Sequence, residues 1–148
     1  MKAEIFRSLK QGLPIGKNGE LISWGAKLNE LKACSEVYSE ESNRPTHIFF
    51  GTKEVFPNIK LALYTPFDTL RNNDNKDYLF HVGQNLNANN TDSLVKDLTA
   101  LLGIADEASD LDGIYRRWED GVVFIEVIPR SHHGSDWNAI ITRKKNCL

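Results

Sequence analysis

The segment 91–129 constrains this chain most, because it specifies a helix and a tight hairpin in direct succession. Leu94, Val95, Leu98, Leu101 and Leu102 fall on one face of a 3.6-residue period, the pattern of a helix lying on a core. Thr91, Asp92 and Ser93 are each able to cap its start by accepting a free backbone N–H, and Gly103 stands where a helix closes in a left-handed residue. Beyond it, Tyr115-Arg116-Arg117-Trp118 runs into Asp120-Gly121, a pair suited to a two-residue turn with positive φ at both centres. A turn there sets Trp118 opposite Val123, Arg116 opposite Ile125 and Tyr115 opposite Glu126. Val123, Ile125 and Val127 then share one face, while Val122, Phe124, Glu126 and Ile128 share the other. Apolar side chains on both faces place this strand well inside a sheet, and Pro129 ends it.

Between helix and hairpin, residues 104–112 carry Asp106, Glu107, Asp110 and Asp112 and no base. Such a run reads as a solvated loop, or as a negative surface offered to a basic partner.

At 148 residues the chain is read as one domain, 1–148, long enough to bury a core. A net charge of −2 gives no global case for nucleic acid or an anionic membrane surface. No apolar run approaches the roughly 20 residues of a membrane span. The opening Met-Lys-Ala-Glu-Ile-Phe-Arg has no continuous apolar region, and Cys34 and Cys147 make no disulfide framework, so a cytoplasmic setting is expected.

Residues 2–11 predict an amphipathic helix bearing Ile5, Phe6 and Leu9. Gly12, Pro14, Gly16 and Gly19 follow as a glycine-rich turn, since their spacing fits neither phosphate-loop pattern. Residues 21–24 suggest a short strand closed by Gly25, and 26–35 a helix with Leu28, Leu31 and Cys34 inward. Cys34, near a helix C-terminus, lacks the neighbours that activate a thiol and reads as structural. Glu36, Glu40 and Glu41 fall in a polar loop before Pro45. Residues 46–50 form a strand closed by Gly51, with a loop over 52–58, and 59–64 form a strand alternating Ile59, Leu61 and Leu63 with wetter positions. An exposed loop is expected at 68–77, a strand at 78–82, an asparagine-rich loop at 83–91, a strand at 137–142 and an exposed basic tail at 143–145. The step from Leu31 to Ile48 equals that from Leu98 to Tyr115, which raises a helix–strand–strand duplication. Helices alternating with hairpins favour an α+β fold, an antiparallel sheet with two to three packed helices.

Three constellations bear on chemistry. Ser131-His132-His133-Gly134-Ser135-Asp136 holds metal-ligating residue types, but adjacent side chains in an extended segment point apart, so neither metal nor cofactor is expected. Glu126, an acid in an apolar strand, is either a buried carboxylate of raised pKa or the partner of Tyr115 or Arg117. A small hydrolase or metal-dependent enzyme would use His132, His133 and Glu126. Arg116-Arg117-Trp118 and Arg143-Lys144-Lys145 combine bases and aromatics as in single-strand binders, but the neighbouring acids oppose that, and nucleic acid is not the expected partner. A structural or assembly protein, associating through an open strand edge, is a further alternative.

The layout of Trp24-Gly25, of Phe50-Gly51 before 59–64, and of 118–128 beside Asp106, Glu107, Asp110 and Asp112 resembles bacterial toxin-immunity proteins. The resemblance covers most of the chain and carries no residue-specific motif. It implies a non-enzymatic protein, monomer or homodimer, that binds and neutralises a cognate toxin domain, such as a nuclease with a basic cleft. The contact surface it implies comprises Asp106, Glu107, Asp110 and Asp112 with Glu119 and Asp120.

Overall fold

The computed structural model describes residues 1–41, 44–66, 81–84, 88–111, 113–128 and 139–144. Among the described residues, three helices arise where apolar residues recur at helical spacing. Helix α1 (Lys2–Gln11) buries Ile5, Phe6 and Leu9, and α2 (Leu28–Cys34) buries Leu31 and Cys34. Helix α3 (Ala88–Leu102) buries Leu94, Leu98 and Leu102, with Val95 and Leu101 partly covered. Gly103 closes α3 with φ 83°, and its N–H donates to the Thr99 carbonyl at 2.8 Å. Thr91, Asp92 and Ser93 do not cap this helix. It begins at Ala88, and they lie within its first turns.

The strands are β1 (Val37–Glu41), β2 (Arg44–Phe56), β3 (Ile59–Pro66), β4 (His81–Gln84), β5 (Glu107–Ser109), β6 (Tyr115–Glu119), β7 (Val123–Val127) and β8 (Ala139–Arg143). They pair antiparallel throughout, in the order β1-β2-β3-β4-β8-β7-β6-β5. Among the described elements, a helix followed by four antiparallel strands thus occurs twice, α2 with β1–β4 and α3 with β5–β8. The two halves join where β4 meets β8, leaving β1 and β5 at the ends of the sheet. This is a repetition of topology. Side-chain identities do not repeat with it, and it does not by itself establish a duplication of sequence. The fold is α+β, as the alternation of helices and hairpins predicts.

The three helices and the inward side chains of both sheet halves share one core, in which Leu13, Ile15, Leu31, Ile48, Phe50 and Trp118 are fully buried. As expected of an interior strand, β7 lies between β6 and β8. It buries Val123, Ile125 and Val127 on the core side and half-buries Phe124 and Glu126 on the other.

The hairpin register differs from expectation by two residues: Trp118 pairs with Ile125, Arg117 with Glu126 and Arg116 with Val127. The cause is the Asp120 side chain. Its Oδ1 accepts the N–H groups of Val122 at 3.0 Å and Val123 at 2.9 Å, moving the tip of the turn to Gly121 and Val122. An even shift leaves every side chain on its expected face.

Other elements depart further. Glu40 and Glu41 lie in edge strand β1, which reaches back into the expected polar loop. Strand β2 does not close at Gly51. That glycine, at φ 90°, occupies a register shift between Phe49 and Gly51, and the strand bends and continues to Phe56. Residues 21–24 make only an isolated bridge, Ile22 to Leu13, rather than a strand. Of the expected loop at 83–91, Gly83 and Gln84 belong to β4 and 88–91 to α3. Arg143 ends β8 instead of starting a tail, and its Nη1 donates to the Lys10 carbonyl at 2.8 Å. The expected loop at 68–77 lies outside the described residues.

Candidate functional site

The acidic segment is not a simple solvated loop, because Glu107, Ala108 and Ser109 form β5 and pair with Arg117, Arg116 and Tyr115. This register places Arg117 directly opposite Glu107. Arg117 Nη2 donates to Glu107 Oε1 at 2.7 Å, and Arg117 Nε lies 3.1 Å from Glu119 Oε2. Arg116 grips Asp110 with both terminal nitrogens, at 3.0 and 3.4 Å. Lys2 reaches Asp106 at 3.1 Å and Lys10 reaches Asp120 at 2.9 Å, so α1 is clamped to the hairpin side of the sheet by two ion pairs.

The carboxylates therefore divide by role. Asp106 and Asp120 are built into the fold. The Glu119 N–H, helped by Lys2, holds the Asp106 carboxyl below its ordinary pKa. At Asp120 burial acts to raise the pKa, but the Val123 and Val122 N–H groups and Lys10 together outweigh it and bring it down. Glu107 and Asp110, in contrast, keep 54% and 69% of their side chains exposed while paired. Asp112 lies outside the described residues. Five described carboxylates face four bases here, so the surface has polar anchors but little net field.

Ile104 and Leu111 bracket β5 and are 89% and 92% exposed. The edge strand and its flanks thus expose two large apolar side chains and two ion-paired carboxylates at one end of the sheet.

Glu126 sits half-buried on the opposite face from the core, in register between Arg117 and Ile140. Its Oε2 accepts the hydroxyl of Tyr115, the diagonal neighbour, at 3.3 Å, and Arg117 stands directly opposite in register. Burial, and then the Glu126 charge, push the Tyr115 phenol up. Arg117 is the hub of this group, hydrogen-bonded to Glu107, within ion-pair distance of Glu119 and 5.6 Å from the centre of the Phe124 ring on its own face. His132, His133 and Asp136 lie outside the described residues. Among the described residues no three of His, Cys, Asp and Glu are placed to hold a metal.

No protein-family model, no curated protein and no solved structure matches this chain. No helix among the described residues is long and apolar enough to cross a membrane.

Trp118 is fully buried, its indole N–H donating to the Gly103 carbonyl at 3.0 Å, so it offers no stacking platform for a nucleic-acid base. Cys34 is buried as well, and burial pushes its thiol above the ordinary value, in keeping with a structural role.

Proposed function

We propose that this protein is a binding protein that captures another protein domain along its β5 edge, and that the captured domain is a cognate toxin which it neutralises. The observation that carries the reading is the pairing of exposed apolar and acidic side chains at a terminal strand: Ile104 and Leu111 flank β5, and Glu107 and Asp110 stay largely exposed while paired to Arg117 and Arg116. A terminal strand carries a row of N–H and C=O groups able to receive another strand. Flanking apolar side chains supply contact area, and carboxylates favour a basic partner and set its orientation. Because the local bases offset most of the acids, Glu107 and Asp110 act as specific anchors rather than as part of a broad attracting field.

Capture from the native source with the purified protein as bait tests this. The expected result is one stoichiometric basic partner that is toxic when expressed alone and harmless when co-expressed with this protein. A Glu107→Lys, Asp110→Lys variant is expected to lose that protection. Recovery of no partner, together with a retained metal or small molecule, would replace the binding reading with an enzymatic one.

A further inference from the structure

A second surface lies across α1 from the ion-pair clamp. Lys2 and Lys10 are held on one flank of α1 by Asp106 and Asp120. Met1, Glu4, Ile5 and Ser8, at helical spacing, line the other flank and form one wall of an open groove of about 580 Å³. The facing wall is the end of β2 and its turn into β3, with Glu54, Val55 and Pro57, and Pro14 and Leu21 close one end. Ile5, Leu9 and Phe56 make a buried apolar floor. Two of the chain's exposed large apolar side chains, Met1 at 71% and Leu21 at 49%, stand on its rim.

Charge distinguishes this groove from a bare apolar recess. Its lining side chains include two carboxylates, Glu4 and Glu54, and no lysine, arginine or histidine. Glu54 Oε1 accepts the Asn58 N–H at 2.9 Å, which fixes the side chain at the groove wall, opposite Lys60 in the β2–β3 register. Lys2 and Lys10 of α1 are engaged on the far flank. A cation entering the groove gains charge-assisted hydrogen bonds while its apolar neighbours cover the floor. The volume lies within the ~300–1,000 Å³ of built ligand sites.

We propose that this groove is a docking site for a short protein segment in which lysine or arginine alternates with large apolar residues. It is separate from the β5 edge and stands whether or not that edge engages a toxin.

The test is a nuclear magnetic resonance titration of the 15N-labelled protein with a short peptide alternating lysine and leucine. Parallel titrations use a glutamate–leucine and a lysine–serine peptide. The expected result is saturable amide shifts centred on Glu4, Ser8, Gly12, Leu21 and Val55. Binding of both control peptides is expected to be about tenfold weaker, the order lost with a charged hydrogen bond or a buried leucine. Glu4→Gln with Glu54→Gln is expected to weaken the lysine–leucine peptide to a similar degree while leaving the spectrum folded, since glutamine at 54 still accepts the Asn58 N–H. Shifts centred on 107–111, equal affinity for the glutamate–leucine peptide, or no saturable binding would each overturn the proposal.

Discussion

The Asp106 carboxylate accepts the backbone N–H of Glu119 at 2.9 Å through the same oxygen that meets Lys2, and so joins the residue before β5 to the end of β6. An acid that lies on the exposed surface, as its sequence context predicts, is thus also a structural bracket, and replacing it tests folding before it tests binding.

The Asp106 and Asp120 carboxyls are both held below their ordinary values in the folded protein. A lowered folded pKa contributes stability that is complete above the unfolded value, about 3.9, and is lost as pH falls through the folded one. Urea midpoints for the native chain are expected to drop between about pH 5 and pH 2. Asp106→Asn, whose amide oxygen still accepts the Glu119 N–H, is expected to flatten that drop. An unchanged slope in the variant would remove Asp106 from the acid response.

Glu107→Lys and Asp110→Lys each break an exposed ion pair, an interaction worth roughly 0–1 kcal/mol. Each variant is expected to keep a thermal midpoint close to that of the native chain while losing affinity for the captured partner, as read by calorimetry. Thermal collapse of either variant would show that these two acids, like Asp106, hold the fold.

Trp118→Phe removes the donor to the Gly103 carbonyl and keeps most of the packing, so a loss of about 1 kcal/mol is expected. Trp118→Ala empties a fully buried site and is expected to cost roughly 3–5 kcal/mol. Denaturant unfolding of the two variants distinguishes bond from volume.

The Cys34 thiol, buried and pushed upward by that burial, is expected to resist iodoacetamide at neutral pH and to react fully in urea. Peptide mass mapping reads it separately from Cys147.

Local periodicity made much of the architecture legible. Ile5, Phe6 and Leu9 on α1, the apolar stripe of α3, the alternation of Ile59, Leu61 and Leu63 and the interior position of β7 all follow from spacing, because a helix or a strand interior repeats its buried face at a fixed interval. Edge strands carry no such signal. Strand β5 buries too little to alternate, so Glu107 reads as a loop residue. Gly51 reads as a strand end, although the partner strand β3 carries β2 through it with a register shift.

The sequence by itself determined the α+β class, the three helices and the inward face of the central hairpin, since these depend on which neighbours three, four or two residues away are apolar. Only the tertiary structure decided the roles of the charges. Whether an acid is a bracket, as Asp106 is with Lys2, an exposed member of an ion pair, as Glu107 and Asp110 are, or a groove wall, as Glu4 and Glu54 are, depends on bases and surfaces brought from other parts of the chain. Electrostatic partnership acts through space, and no periodicity along the chain encodes it.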